Sequence, residues 1–174
     1  MSDKFFEPEI SRSLKRISQL IQIPFPVAIE CKKETGTSLA FSRVDQHQVR
    51  ALVDFECASF THKMRVSSSV GGQSRFQLKT GFDFLACPSG KSFVLVNFRA
   101  TKKDGGKAIP KGTNRCFAVP IGQYLNGKYE LESVDKRRSF PYKWFEDNAM
   151  EIKRTSWEEG GKKIYGWDLS PLWH

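Results

Sequence analysis

Glu30 and Lys32 stand two residues apart in Val27-Ala28-Ile29-Glu30-Cys31-Lys32-Lys33, where Val27, Ile29 and Cys31 alternate with Ala28, Glu30 and Lys32. That period of two predicts a short strand, Val27 to Lys33, which projects the Glu30 carboxylate and the Lys32 ammonium side by side from one face. A carboxylate can hold Mg²⁺ or Mn²⁺ beside a scissile phosphate. A neighbouring cation can orient the attacking water or offset the charge that develops on the phosphate. The backbone carbonyl of Cys31 offers a further hard oxygen ligand, whereas its thiol is the wrong donor for such a metal. The chemistry this spacing fits is metal-assisted phosphodiester hydrolysis. Taken alone, Glu-x-Lys on a strand is a weak signal that more often marks an ordinary salt pair.

The flanking elements must hold that strand in place. Ile10, Leu14, Ile17 and Ile21 recur at helical spacing, with Arg12, Lys15, Arg16 and Gln19 on the other side. They predict a helix over 10–22, with Pro8 at its start and Pro24 beyond its end. Gly36-Thr37 marks a turn, and Ser38 to Phe41 reads as a short extended piece. Asp45 is a candidate N-cap for a helix over 45–57, with Gln48 as its capping-box partner and an inner stripe of Val49, Leu52, Val53 and Cys57. Lys63–Ser69 and Arg75–Leu85 read as strands joined at Gly71-Gly72. Ser92 to Phe98 is a near-continuous apolar run, the pattern of a central strand. Arg115 to Val119 is a further strand, Ile121 to Leu125 a helical turn, and Pro141 to Asp147 a short helix. No repeat or low-complexity linker divides the chain, so a single domain over 1–174 is expected.

Composition bounds the partner. The chain carries 28 Lys+Arg against 19 Asp+Glu, a net charge of +9. An excess of this size favours a polyanion, because phosphate neutralisation with counterion release dominates nucleic-acid affinity. With 14 Phe, the sequence is that of a folded globule. The four cysteines (Cys31, Cys57, Cys87, Cys116) lie far apart with no C-x-x-C pair, which argues against zinc and for buried thiols in a reducing compartment. The opening Met1-Ser-Asp-Lys-Phe-Phe-Glu-Pro-Glu lacks an apolar signal core, and no run spans a membrane; an intracellular location is expected.

Against that background, Ile29-Glu30-Cys31-Lys32-Lys33-Glu34-Thr35 resembles the strand motif of the PD-(D/E)xK nuclease superfamily, and within it the RecU-type Holliday junction resolvases. His47-Gln48 opening a helix, and the tail Arg137-Arg138-Ser139-Phe140-Pro141-Tyr142-Lys143 with Phe145-Glu146, are similar to that group's downstream segments. The resemblance covers roughly 27–57 and 91–170. It implies an α/β, restriction-endonuclease-like domain with a central mixed sheet flanked by helices. It also implies Mg²⁺- or Mn²⁺-dependent DNA cleavage, with branched recombination intermediates such as four-way junctions as substrate. Two symmetric cuts on such a junction imply a homodimer.

In this reading Glu30, Lys32 and Gln48 are catalytic, and Glu30 with the Cys31 carbonyl binds the metal. The family's metal-binding Asp on the preceding strand is missing, since Gln19 to Ile29 holds no carboxylate. Glu9 on the first helix is the first candidate to replace it, Glu7 the second and Asp83 a distant third. Favourable charge at a helix N-terminus explains Glu7 and Glu9 equally well. Shifting the register to Lys33-Glu34-Thr35 would put Cys31 in the acid's place, so Glu30 and Lys32 are preferred. His47 reads as a packed or surface histidine. Lys33, the loop residues Lys102, Lys103, Lys107 and Lys111, and Arg115, Arg137 and Arg138 are candidate phosphate contacts. A non-catalytic nucleic-acid-binding module on a degenerate fold, or another nuclease of this fold (restriction-like, repair or RNA-directed), remains the alternative.

Overall fold

The computed structural model describes residues 6–20, 25–57, 60–65, 82–87, 90–99 and 112–174, with backbone alone for 19–20, 60–65 and 82–87. In chain order, α1 (Phe6–Leu20) precedes β1 (Val27–Glu34) and β2 (Ser38–Ala40), and a 3-10 turn (Phe41–Arg43) leads into α2 (Gln46–Cys57). Then come β3 (Phe60–Arg65), β4 (Phe82–Cys87), β5 (Lys91–Arg99), β6 (Asn114–Pro120) and α3 (Ile121–Ser133). The chain finishes with β7 (Ser139–Pro141), α4 (Tyr142–Asn148), β8 (Met150–Ile152), β9 (Arg154–Glu159), β10 (Lys162–Trp167) and a 3-10 turn (Ser170–Trp173).

The main sheet has the order β1-β5-β6-β8. β1 runs parallel to β5, pairing Glu30 with Val94 and Lys32 with Val96, while β5–β6 and β6–β8 are antiparallel. A parallel pair needs a crossover, and α2 lies within it. The sheet is therefore mixed and flanked by helices, as expected for α/β. β5 holds the centre because its Ser92–Phe98 run is buried throughout.

Alternation along β5 splits the core in two. Val94, Val96 and Phe98 pack with Leu52 of α2, Tyr124 of α3 and Phe145 of α4. Phe93 and Leu95 pack on the other face with Phe6, Ile10 and Ile17 of α1 and with Trp167, Leu172 and Trp173. Phe98 meets Tyr142 and Phe145 edge-on at 5.1 Å each. Truncating such a buried ring costs about 3–5 kcal/mol.

Several elements depart from the sequence reading. α1 starts four residues early, at Phe6, because Phe6 is buried with its ring edge-on to Trp167 at 6.1 Å. α3 continues to Ser133 through Asn126-Gly127, a pair that reads locally as a turn. Gly127 is buried there, and a side chain at that position would strike the Trp144 indole, so packing overrides propensity. β3 and β4 pair antiparallel, Phe60 with Cys87 and Arg65 with Phe82, so they overlap the expected strands at 63–65 and 82–85; the rest of those strands, 66–69 and 75–81, lies outside the described residues. Gly71-Gly72, Ile21 and Pro24 lie outside the described residues. Cys57 is exposed and so not part of the inner stripe of α2, whereas Cys31 and Cys116 are buried, and burial pushes the Cys116 thiol well up. Among the described residues no helix is long and apolar enough to cross a membrane.

Candidate active site

β1 is parallel-paired on the β5 side, so Ala28, Glu30 and Lys32 face α2 while Val27, Ile29, Cys31 and Lys33 face α1. Glu30 and Lys32 form an ion pair of 2.7 Å, with side chains 23% and 11% exposed. An ammonium so little exposed costs desolvation energy, which a partner charge and hydrogen-bond acceptors offset. Gln48 completes the set. Its Oε1 accepts from Lys32 Nζ at 3.1 Å, and its Nε2 donates to Glu30 Oε1 at 2.9 Å. Both contacts to Glu30 fall on Oε1, so Oε2 takes no part in the triad.

α2 brings Gln48 to this position by two devices. The Gln48 Oε1 also accepts the Asp45 backbone N–H at 3.0 Å, which is one half of the expected capping box. Farther along, Ser92 of β5 clamps the helix: its Oγ donates to the Leu52 carbonyl at 2.7 Å, and its N–H donates to Glu56 Oε1 at 2.8 Å. At the far end of β1, Arg43 donates to Glu34 Oε1 at 2.9 Å and to the Lys33 carbonyl at 3.2 Å. The Glu-x-Lys strand is thus held at its C-terminal end by Arg43 and from α2 by Gln48. His47 is exposed, as expected of a surface histidine.

The upstream carboxylates separate. Glu9 accepts from the Trp167 indole at 3.1 Å and lies 3.7 Å from Arg154. It lines a small polar cleft with Lys33, Asn97, Arg99 and Asn114 on the α1 face, away from Lys32 and Gln48. The helix register turns the Glu9 side chain, the first candidate for the second metal ligand, toward Trp167 and Arg154. Glu7 lines a depression of about 310 Å³ with Glu30, Cys31, Ile10, Ser11, Leu14, Val27 and Ile29. Asp83 sits on β4 opposite Met64. Among the described residues no three His, Cys, Asp or Glu side chains converge as a preformed metal cage.

The basic residues scatter. Lys102, Lys103, Lys107 and Lys111 lie outside the described residues. Arg137 and Arg138 are exposed beside β7, Arg137 lying 3.7 Å from Asp135. Lys33 points to the α1 face, into the cleft with Glu9. Arg115 is engaged elsewhere: it grips Glu151 through both Nε and Nη2 at 2.7 and 2.8 Å, and its Nη1 donates to Glu146 and to the Tyr142 hydroxyl. These hydrogen bonds raise the Arg115 guanidinium and hold the Glu151 carboxyl below the usual range. Arg115 is therefore an internal tie between β6, β8 and α4 rather than a free phosphate contact. The reading of the sequence missed the β9–β10 hairpin, although Gly160-Gly161 between alternating residues is a strong two-residue turn signal. Both glycines have positive φ, 58° and 72°, as a type I′ turn requires.

Comparison of the chain with protein-family models, with curated proteins and with solved structures returns no match.

Proposed function

We propose that this protein is a metal-dependent DNA endonuclease acting on branched DNA, with four-way junctions as its first-choice substrate. The observation that carries the reading is the Glu30–Lys32–Gln48 triad, in which a carboxylate and a sparsely exposed ammonium are held together on a clamped strand. Glu30, Glu7 and the Cys31 carbonyl are hard oxygen donors, the set that Mg²⁺ or Mn²⁺ takes. Mg²⁺ usually keeps several waters and binds through one or two carboxylates plus substrate phosphate, so the absence of a three-residue cluster among the described residues is compatible with it. When bound, the cation would supply Lewis-acid activation of the phosphate.

The chain's own groups do the rest. Lys32, positioned by Gln48 and Glu30, offers a fixed positive charge where negative charge develops on the phosphate. Gln48 keeps the Glu30 carboxylate oriented through Oε1 and leaves Oε2 for a ligand. Cutting both strands of a junction symmetrically calls for two copies of the chain.

A second reading, a nucleic-acid-binding module without catalysis, is favoured by one observation: no third acidic ligand converges on Glu30 among the described residues. Incubation of wild type, Glu30→Gln and Lys32→Ala with labelled four-way junction, duplex and single strand, with and without Mg²⁺, separates the two. Metal-dependent cleavage by wild type that both variants lose supports the nuclease. Tight binding with no cleavage under Mg²⁺ or Mn²⁺ supports the binding module.

A further inference from the structure

Tyr165 of β10 is half exposed, at 50%, and belongs to neither core. In the β9–β10 register Tyr165 pairs with Ser156, Lys163 with Glu158 and Trp167 with Arg154, so these six residues share one face of the hairpin. At the Trp167 end this face too is buried, the indole packing on Phe6 and donating to Glu9 of α1, which leaves Tyr165 and Lys163 on its exposed outer part. On the opposite face a side chain on Gly166 would meet Ser13 Oγ and the Trp157 ring. On the outer face the Arg154 guanidinium stands 5.5 Å, and the Lys163 ammonium 5.6 Å, from the Tyr165 ring centre. Arg154 also borders the cleft that holds Lys33 and Arg99, at the C-terminal ends of the parallel strands β1 and β5. A track of four cations, Lys163, Arg154, Arg99 and Lys33, thus runs from an exposed ring to the end of the Glu-x-Lys strand. Glu158 and Glu9 are the carboxylates beside it.

We infer that this surface binds unpaired nucleotides, with Tyr165 stacking on a base and Arg154 and Lys163 taking the adjoining phosphates. The inference rests on the nucleic-acid reading above and deepens it by naming the substrate class: DNA with single-stranded nucleotides beside the cut. A duplex side presents phosphates and would use the cations alone. Of the bases in a DNA, one that has left its stack is the one able to lie on an exposed ring, and such stacking tolerates any sequence. The two-residue turn at Gly160-Gly161 fixes the register that sets Tyr165 opposite Ser156.

The test measures binding without divalent metal, so that cleavage plays no part. Fluorescence anisotropy with a short labelled oligothymidylate, an abasic strand of the same length and a fully paired duplex is compared for wild type, Tyr165→Phe and Tyr165→Ala. Wild type should bind the oligothymidylate about tenfold or more tighter than the abasic strand. Tyr165→Ala should remove that difference, Tyr165→Phe should keep it, and duplex affinity should change little in either. Equal binding of the two single strands by wild type overturns the inference, and this comparison needs no variant to fold. So does a Tyr165→Ala protein that weakens on duplex and single strand alike. A protein that never cleaves yet shows this pattern refutes the nuclease and leaves the stacking surface standing.

Discussion

The Gln48 amide of α2 donates to the Glu30 carboxylate of β1 at 2.9 Å, joining a helix cap to the residue best placed for metal chemistry. The same side chain accepts from the Asp45 N–H and from Lys32. Gln48→Ala should therefore cost both stability and activity. Loss of the cap and of two side-chain bonds predicts a destabilisation of about 1–3 kcal/mol. Urea denaturation measures that cost, and the metal-dependent cleavage rate should fall in the same variant while DNA affinity holds.

Replacing Glu30 affects the fold as well as the chemistry. Lys32 is only 11% exposed, and Glu30→Gln leaves its ammonium without a balancing charge. A destabilisation of about 1–3 kcal/mol is expected from a half-broken, partly buried pair. The double variant Glu30→Gln/Lys32→Met should recover much of it, because no unpaired charge remains. A thermal-melt comparison checks this; equal stabilities for Glu30→Gln and wild type would contradict the pairing.

Glu7 and Glu9, two residues apart on α1, should behave oppositely. Glu7→Gln, in the depression shared with Glu30, should cut metal-dependent cleavage at least about tenfold with little effect on stability. Glu9→Ala leaves the Trp167 indole N–H without its acceptor and should lower stability by about 1–2 kcal/mol while preserving cleavage. The cleavage rates and melting temperatures of the two variants, measured side by side, decide the assignment.

The Arg115–Glu151 tie predicts a pH dependence with a definite sign. The hydrogen bonds from Arg115 hold Glu151 below its ordinary carboxyl value. Its contribution is full above the unfolded-chain value of about 4.3 and is lost as pH falls through the lower folded value. Because Glu151 is well exposed, solvent screening keeps this contribution to about 1 kcal/mol or less. The stability gap between wild type and Arg115→Ala should be open at pH 7 and narrow near pH 3. The variant's salt-dependent DNA affinity should match wild type.

Tyr124 is 1% exposed, and its hydroxyl has no hydrogen-bond partner among the described residues. Burial pushes its pKa up to about 12. Tyr124→Phe removes a buried, unpaired polar group and keeps the ring against Phe140. The variant should be as stable as wild type or more stable by up to about 1 kcal/mol. A clear loss of stability in denaturant would show that the hydroxyl is paired in solution.

Much of the scaffold was legible in the residues themselves. The period-two pattern around Glu30 marked β1, the unbroken apolar run marked β5 as central, and Asp45 with Gln48 marked the start of α2. These are local signals, set by side-chain alternation and capping chemistry within a few residues. Where contacts come from far along the chain, local signals fail. α3 continues through Asn126-Gly127 because Trp144 packs against the bare glycine. Arg115 reads as one more loop cation, yet Tyr142, Glu146 and Glu151 surround it in space. The turning of Glu9 toward the Trp167 indole goes with the rotation of α1 on the C-terminal hairpin, where Ser13 Oγ accepts from the Trp167 backbone N–H at 2.9 Å. Sequence determined that a carboxylate and a lysine share one face of a strand. Tertiary structure decided which other groups meet them, because a helix's rotation and a strand's neighbours are set by packing across the whole core.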